Sequence, residues 1–130
     1  MKISLAGIER DGFVKLVADG TITASDFAVD GKNPVEGLLG PAWRTFRVLL
    51  DLSHVSYIDS SAIGWLIGTQ KEFRDGGGGL AVFGIQPSVR QVLDLLKVGR
   101  VVPLCDSETA ARDAISGGGA YGVSGGGVRP

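Results

Sequence analysis

Only one cysteine, Cys105, and one histidine, His54, occur among the 130 residues. A lone cysteine cannot close an intrachain disulfide, which excludes a disulfide-stapled scaffold. Cys105 ends the apolar run Val101, Val102, Pro103, Leu104, a setting for a packing side chain rather than a nucleophile. One histidine with no cysteine near it is too little for a zinc site, so no metal is expected, and His54 reads as an exposed loop residue. Charge of one sign is also scarce. The 13 basic and 14 acidic side chains leave a formal charge of -1, without the field that gathers nucleic acid or an anionic membrane. No run approaches the roughly 18 apolar residues of a membrane span, and Glu9, Arg10 and Asp11 interrupt the N-terminal apolar stretch before it reaches signal-peptide length. A cytoplasmic protein with no cofactor is the expectation.

What is present suffices for one core. Hydrophobic residues make up 44% of the chain, and the length calls for a single domain. Glycine is abundant and unevenly placed, with seven in the last 14 residues. Such a segment, with Tyr121 and two valines as its sizeable apolar groups, cannot offset its ordering entropy. The domain is therefore placed at 1–115 and a glycine-rich flexible tail at 116–130.

Within the domain the apolar pattern alternates between two periods. Residues 3–8 and 13–18 read as strands of a hairpin turning at Arg10, Asp11 and Gly12, and residues 20–23 continue or close that sheet. From 24 to 42, Gly31, Asn33, Pro34, Gly37, Gly40 and Pro41 break any long helical pattern. A short helix over 34–39 is the most this stretch allows, with proline in its first turn. Residues 46–52 form an apolar run of strand length, as in a central strand buried on both faces. Ser60 to Arg74 reads as a helix with Ile63, Leu66, Ile67 and Phe73 on one stripe, stopped by the glycines at 76–79. Residues 80–85 make a second buried strand, and Pro87 opens a helix in which Val89, Val92, Leu93 and Leu96 share a face. Val98, Gly99 and Arg100 end that helix, Val101 and Val102 form a short strand, and Asp106 or Ser107 caps a last helix through Ile115. The order predicts βαβ crossovers in an α/β fold: about four to five strands in a mixed sheet, an N-terminal hairpin, and helices mainly on one face.

The stretch from 48 to 68 carries the functional signal. It reads as a buried strand, a turn ending in Asp59, Ser60 and Ser61, and then a helix. Two hydroxyls and a carboxylate thus stand at a helix mouth, where backbone N–H groups lack helical partners and the macrodipole favours negative charge. A phosphate on such a serine is well accommodated. The residues Asp51-Leu52-Ser53 followed by Tyr57-Ile58-Asp59-Ser60-Ser61-Ala62-Ile63-Gly64 closely resemble the signature of the STAS domain. That family includes bacterial anti-sigma factor antagonists and cytoplasmic domains of transporters. Supporting matches run through the glycine turn at 76–79, the strand at 80–83, and Pro87-Ser88-Val89-Arg90 leading to Leu93, Leu96, Val98 and Gly99. The resemblance covers residues 46–115 and implies a STAS-like fold. Two departures stand out. Ala62 occupies a position that is usually glycine, and residues 24–42 lack the continuous amphipathic first helix of the family, so partner contacts from that helix do not carry over.

In the antagonist branch, the serine after the aspartate is phosphorylated by a kinase that also serves as the anti-sigma factor. The resemblance implies Ser60 as that acceptor, with Ser61 as the alternative. It further implies that the unphosphorylated chain binds an ATP-binding, histidine-kinase-like serine kinase, that the phosphorylated chain lets go, and that a serine phosphatase resets it. Asp59 reads either as an N-cap or as a support that positions Ser60. Ser61 could bond a helix N–H. Trp65 lies off the apolar stripe, near Ser61, and is either a contact anchor or covered by the 24–42 segment. Ser61, Ala62 and Trp65 are the expected partner-binding residues. Neither nucleic acid nor membrane insertion is expected, and the chain should be a monomer or weak dimer. Two other readings are a non-switched scaffold, in a signalling or membrane transport assembly, and a serine hydrolase. Ser60, Asp59 and His54 have the residue types of a triad, but the Gly-x-Ser-x-Gly elbow is absent, and the glycine run precedes a strand rather than a helix. No enzymatic activity is expected.

Overall fold

The computed structural model describes residues 2–9, 12–22 and 33–116. Arg10 and Asp11 of the expected hairpin turn, residues 23–32, and all of the expected tail except Ser116 lie outside the described residues. Strands β1 (Lys2–Ile8), β2 (Phe13–Ile22), β3 (Arg47–Ile58) and β4 (Gly79–Phe83) form one sheet in the order β1-β2-β3-β4. The first pair is antiparallel and the other two are parallel. The sheet is mixed, as the alternating pattern predicts.

Four α-helices occur among the described residues: α1 (Pro34–Leu39), α2 (Ser60–Gly76), α3 (Pro87–Leu95) and α4 (Glu108–Ile115). Side chains of a strand alternate between faces, and β3 is buried on both. Val48, Leu50 and Leu52 join Val35 of α1, Leu66 and Phe73 of α2, and Val89 and Leu93 of α3 in the main core. Leu49 faces the other way, with Phe13, Ala81 and Phe83, against Ala111 and Ile115 of α4. Three helices thus cover one face and α4 the other. Trp43 is fully buried and meets the edge of Phe73, with ring centroids 5.1 Å apart at 86°. That geometry suits the aromatic quadrupoles.

Three elements differ from the sequence reading. β3 does not end at Leu52 but runs on to Ile58, which puts His54 on an exposed stretch of strand rather than in a loop. The register slips between Val17 and Asp19 and again between Gly20 and Thr21, each slip placing one extra residue on β3. These bulges break the two-residue alternation by which a strand is recognised. The strand expected at Val101 and Val102 is replaced by a single parallel bridge between Val82 and Leu104. Leu96 caps α3 instead of sharing its buried face; it and Leu95 are 55% and 78% exposed.

Polar groups fasten the two layers. Gln70 is fully buried in α2; its Oε1 accepts from the Leu80 amide at 3.0 Å and its Nε2 donates to the Val101 carbonyl at 3.3 Å. On the α4 side, Glu108 accepts from Lys15 at 2.8 Å and from Arg112 at 2.9 Å, and Arg112 also pairs with Glu9. The Arg112 guanidinium lies 5.1 Å from the centroid of Phe13, so it packs as well as pairs. Cys105 is half-buried, and burial pushes its thiol pKa up, as befits a packing residue.

Candidate functional site

β4 pairs with β3 only as far as Asp51↔Phe83, whereas β2 follows β3 to Ile22↔Ile58. The last part of β3 therefore extends beyond β4 at the carboxyl ends of the parallel strands, the usual place for a site in such sheets. The Asp59 amide donates to the Ile22 carbonyl at 3.2 Å, and α2 begins with the next residue.

Asp59 takes extended dihedrals, φ -110 and ψ -176, and acts as the N-cap of α2. Its Oδ1 accepts from the Ala62 amide at 3.1 Å, and its carbonyl accepts from the Ile63 amide at 3.2 Å. Ser60 is exposed as the first residue of this 17-residue helix, at the positive end of its dipole. Ser61 is half-buried. Ala62 is fully buried and joins the main core, so its side chain has no surface to offer a partner. That corrects its inclusion among the partner-contacting residues.

Trp65 is half-buried, and its indole N–H donates to Asn33 Oδ1 at 3.2 Å. Asn33 is the N-cap of α1, accepting from the Val35 amide at 3.0 Å while its Nδ2 donates to Thr69 Oγ1 at 2.8 Å. The start of α1 is thereby tied to α2 at Trp65 and Thr69. The pair Asn33-Pro34 is a legible helix start. The bond to a tryptophan 32 residues on carries no local signal.

The first residues of the signature serve the same end of the sheet. Asp51 Oδ1 accepts from the Ser53 amide at 2.8 Å, and Gln86, the N-cap of α3, donates from Nε2 to the Ser53 carbonyl at 2.8 Å. Gly84 stands between them at φ +68, where a Cβ would come within 2.6 Å of Asp51 Oδ1. Only glycine permits both that conformation and that approach. No group of three or more His, Cys, Asp or Glu suited to a metal ion occurs among the described residues. His54 is exposed on β3, and Asp59 is engaged in capping.

The order of strands and helices and the Asp59-Ser60-Ser61 helix start agree with a known domain. A family model for the STAS domain matches residues 11–111. The chain belongs to the STAS domain family. A curated relative, the anti-sigma F factor antagonist of Paenibacillus polymyxa, is 31% identical over 65 residues, covering 50% of this chain and 56% of that protein. The match thus spans little more than half of that STAS relative. Among solved structures, a crystal structure of a Thermotoga maritima protein superposes with a TM-score of 0.72 at 23% identity, over 88% of this chain and 94% of that one. The Bacillus cell fate determinant SpoIIAA, in its phosphorylated form, gives a TM-score of 0.56 at 15% identity, over 86% of this chain and 98% of that one. These two likenesses establish the STAS fold. No helix among the described residues is long and apolar enough to cross a membrane.

Proposed function

We propose that this STAS protein is an anti-sigma factor antagonist, a binding module rather than an enzyme, switched by reversible phosphorylation of Ser60. The observation that carries the reading is the exposure of Ser60 as the first residue of α2, directly after the Asp59 cap. Its similarity to the Paenibacillus polymyxa antagonist supports the class. The partner is an anti-sigma factor that is also an ATP-dependent serine kinase. In the forward step the Ser60 hydroxyl oxygen bonds to the γ-phosphorus of ATP, the bond to ADP breaks, and the hydroxyl proton passes to the kinase. A serine phosphatase reverses the modification by hydrolysis.

The physics of the switch is local. Phosphorylation adds about -1.5 to -2 charge at pH 7 and three acceptor oxygens. The α2 start tolerates that charge, because the positive end of the helix dipole lies there. An apolar or acidic partner surface docked over Ser60 does not tolerate it, since desolvation and repulsion oppose binding. The unmodified chain therefore holds the kinase and frees the sigma factor, and the phosphorylated chain lets go.

Incubation with magnesium-ATP and the anti-sigma kinase of the source organism tests this reading. Mass spectrometry should find one added phosphate, mapped to Ser60 and lost in Ser60→Ala. Labelling that persists in Ser60→Ala moves the acceptor to Ser61 or elsewhere. No labelling of the wild-type chain leaves a non-switched scaffold or transport-assembly subunit as the better account. Ser60→Asp should bind the kinase more weakly than wild type, and equal binding would refute the charge mechanism.

A further inference from the structure

Asn33 makes more hydrogen bonds than a helix cap needs. Capping α1 takes one acceptor for the Val35 amide, and serine provides that as well as asparagine. Asn33 uses the same oxygen for the Trp65 indole N–H at 3.2 Å and its amide nitrogen for Thr69 Oγ1 at 2.8 Å. These partners fix the amide's orientation, because a flipped amide would turn Nδ2 toward two N–H donors. Serine, one bond shorter and with a single polar atom, cannot cap the Val35 amide and also hold both partners on α2.

The tie falls in the same opening turns of α2 as the proposed acceptor, with Trp65 about 140° around the axis from Ser60. Successive residues of a helix advance by about 100° around its axis. Ser60, Gly64 and Gly68 lie on the exposed stripe of α2, while Ala62, Leu66 and Thr69 are buried. Trp65 stands on the flank between them and is half-buried. The helix has one other aromatic side chain, Phe73, which is fully buried. Open space surrounds the positions where Gly64 and Gly68 would carry a Cβ, so the exposed stripe next to Trp65 is low, while the indole itself packs partly against the main core. A tryptophan held in one orientation offers a partner a preformed surface and loses little entropy on binding.

We propose that Asn33 is a positioning residue: it locks the Trp65 indole against the start of α1 so that the kinase docking on Ser60 meets a fixed surface on the flank of the same helix. The inference rests on the reading of Ser60 as the phosphoacceptor. It assigns a docking role to the start of α1, a helix of six residues among the described ones.

Two substitutions separate positioning from capping. Asn33→Ser keeps the α1 cap but loses the reach to Trp65, whereas Asn33→Asp keeps an acceptor for both the Val35 amide and the indole N–H. With the kinase that labels wild-type Ser60, Asn33→Ser should raise KM about tenfold with kcat little changed, a size typical of a lost interface anchor. Trp65→Phe should do the same, and Asn33→Asp should stay near wild type. In fluorotryptophan-labelled protein, the fluorine NMR signal of Trp65 should shift or broaden in Asn33→Ser while that of buried Trp43 holds. An unchanged KM in Asn33→Ser, or an equal loss in Asn33→Asp, overturns the positioning role and leaves the Ser60 reading intact. A wild-type chain that no kinase labels overturns both.

Discussion

The carboxylate of Asp59 and the amide of Ala62 meet at 3.1 Å across the first turn of α2. The same bond anchors the residue before Ser60 and occupies one of the donors that a helix start leaves without helical partners. Cap and candidate acceptor are adjacent, so they are separable only by substitution.

Asp59→Ala should lower stability by about 1 kcal/mol, the usual cost of a lost N-cap. Asp59→Ser, which keeps a capping oxygen, should recover most of it in urea denaturation. Both variants leave Ser60 as the first helical residue, so Ser60 labelling should track the stability. A much larger loss of labelling would give the carboxylate a direct part in presenting Ser60 to the kinase.

Gln70→Leu should be destabilising although the two side chains are of similar volume. Gln70 serves the Leu80 amide and the Val101 carbonyl from a fully buried position. Removing it leaves both groups without that partner, at a cost of about 2 kcal/mol. The denaturation midpoint should fall with little change in slope. A neutral result would mean that water or a backbone shift replaces the amide.

Lys97→Gly should be stabilising. Lys97 has φ 58, the one positive value among the described non-glycine residues. A left-handed conformation costs a side-chain-bearing residue about 1 kcal/mol or more, partly offset by the greater unfolded-state freedom of glycine. A net gain of about 0.5 kcal/mol should appear as a Tm raised by a few degrees. An unchanged or lower Tm would show that contacts of the lysine side chain outweigh the backbone term.

Arg112→Ala should lower stability by about 1–2 kcal/mol at neutral pH, since the pairs to Glu9 and Glu108 are only partly shielded from solvent. Hydrogen bonds from Lys15 and then Arg112 hold the Glu108 carboxyl below the usual range. A lowered folded pKa contributes stability that is complete above the unfolded value of about 4.3 and is lost as pH falls through the folded one. The gap between wild type and variant should therefore be widest near pH 7 and narrow below about pH 4. Parallel stability curves down to acid pH would contradict the electrostatic origin and leave packing on Phe13 as the cause.

Much of the fold was legible because its signals are local. Asn33-Pro34 marks the start of α1 and Gly40 its end, and the structure places that helix at Pro34–Leu39. Ser107, one of two adjacent residues with capping side chains, caps α4 through a bond from the Ala110 amide to its Oγ at 3.1 Å. Asp59 as the cap of α2 follows from the same chemistry. What stayed hidden depends on partners distant in the chain. The second half of β3 is a strand because β2 pairs with it through two slips of register. Val101 and Val102 have strand-like side chains, yet only Leu104 bridges to β4. Leu96 fits the apolar face of α3 by spacing, but the helix ends at Leu95 and the leucine turns outward.

The candidate site divides in the same way. Capping and dipole act within one helical turn, so the sequence alone offers a carboxylate as the cap of a helix whose first residue is the serine Ser60. Three facts about that site belong to tertiary structure: the projection of the acceptor turn beyond β4, the burial of Ala62, and the hold of Asn33 on Trp65. Strand pairing and side-chain contacts between separate elements depend on which surfaces meet after the chain has packed, and no local spacing encodes that outcome.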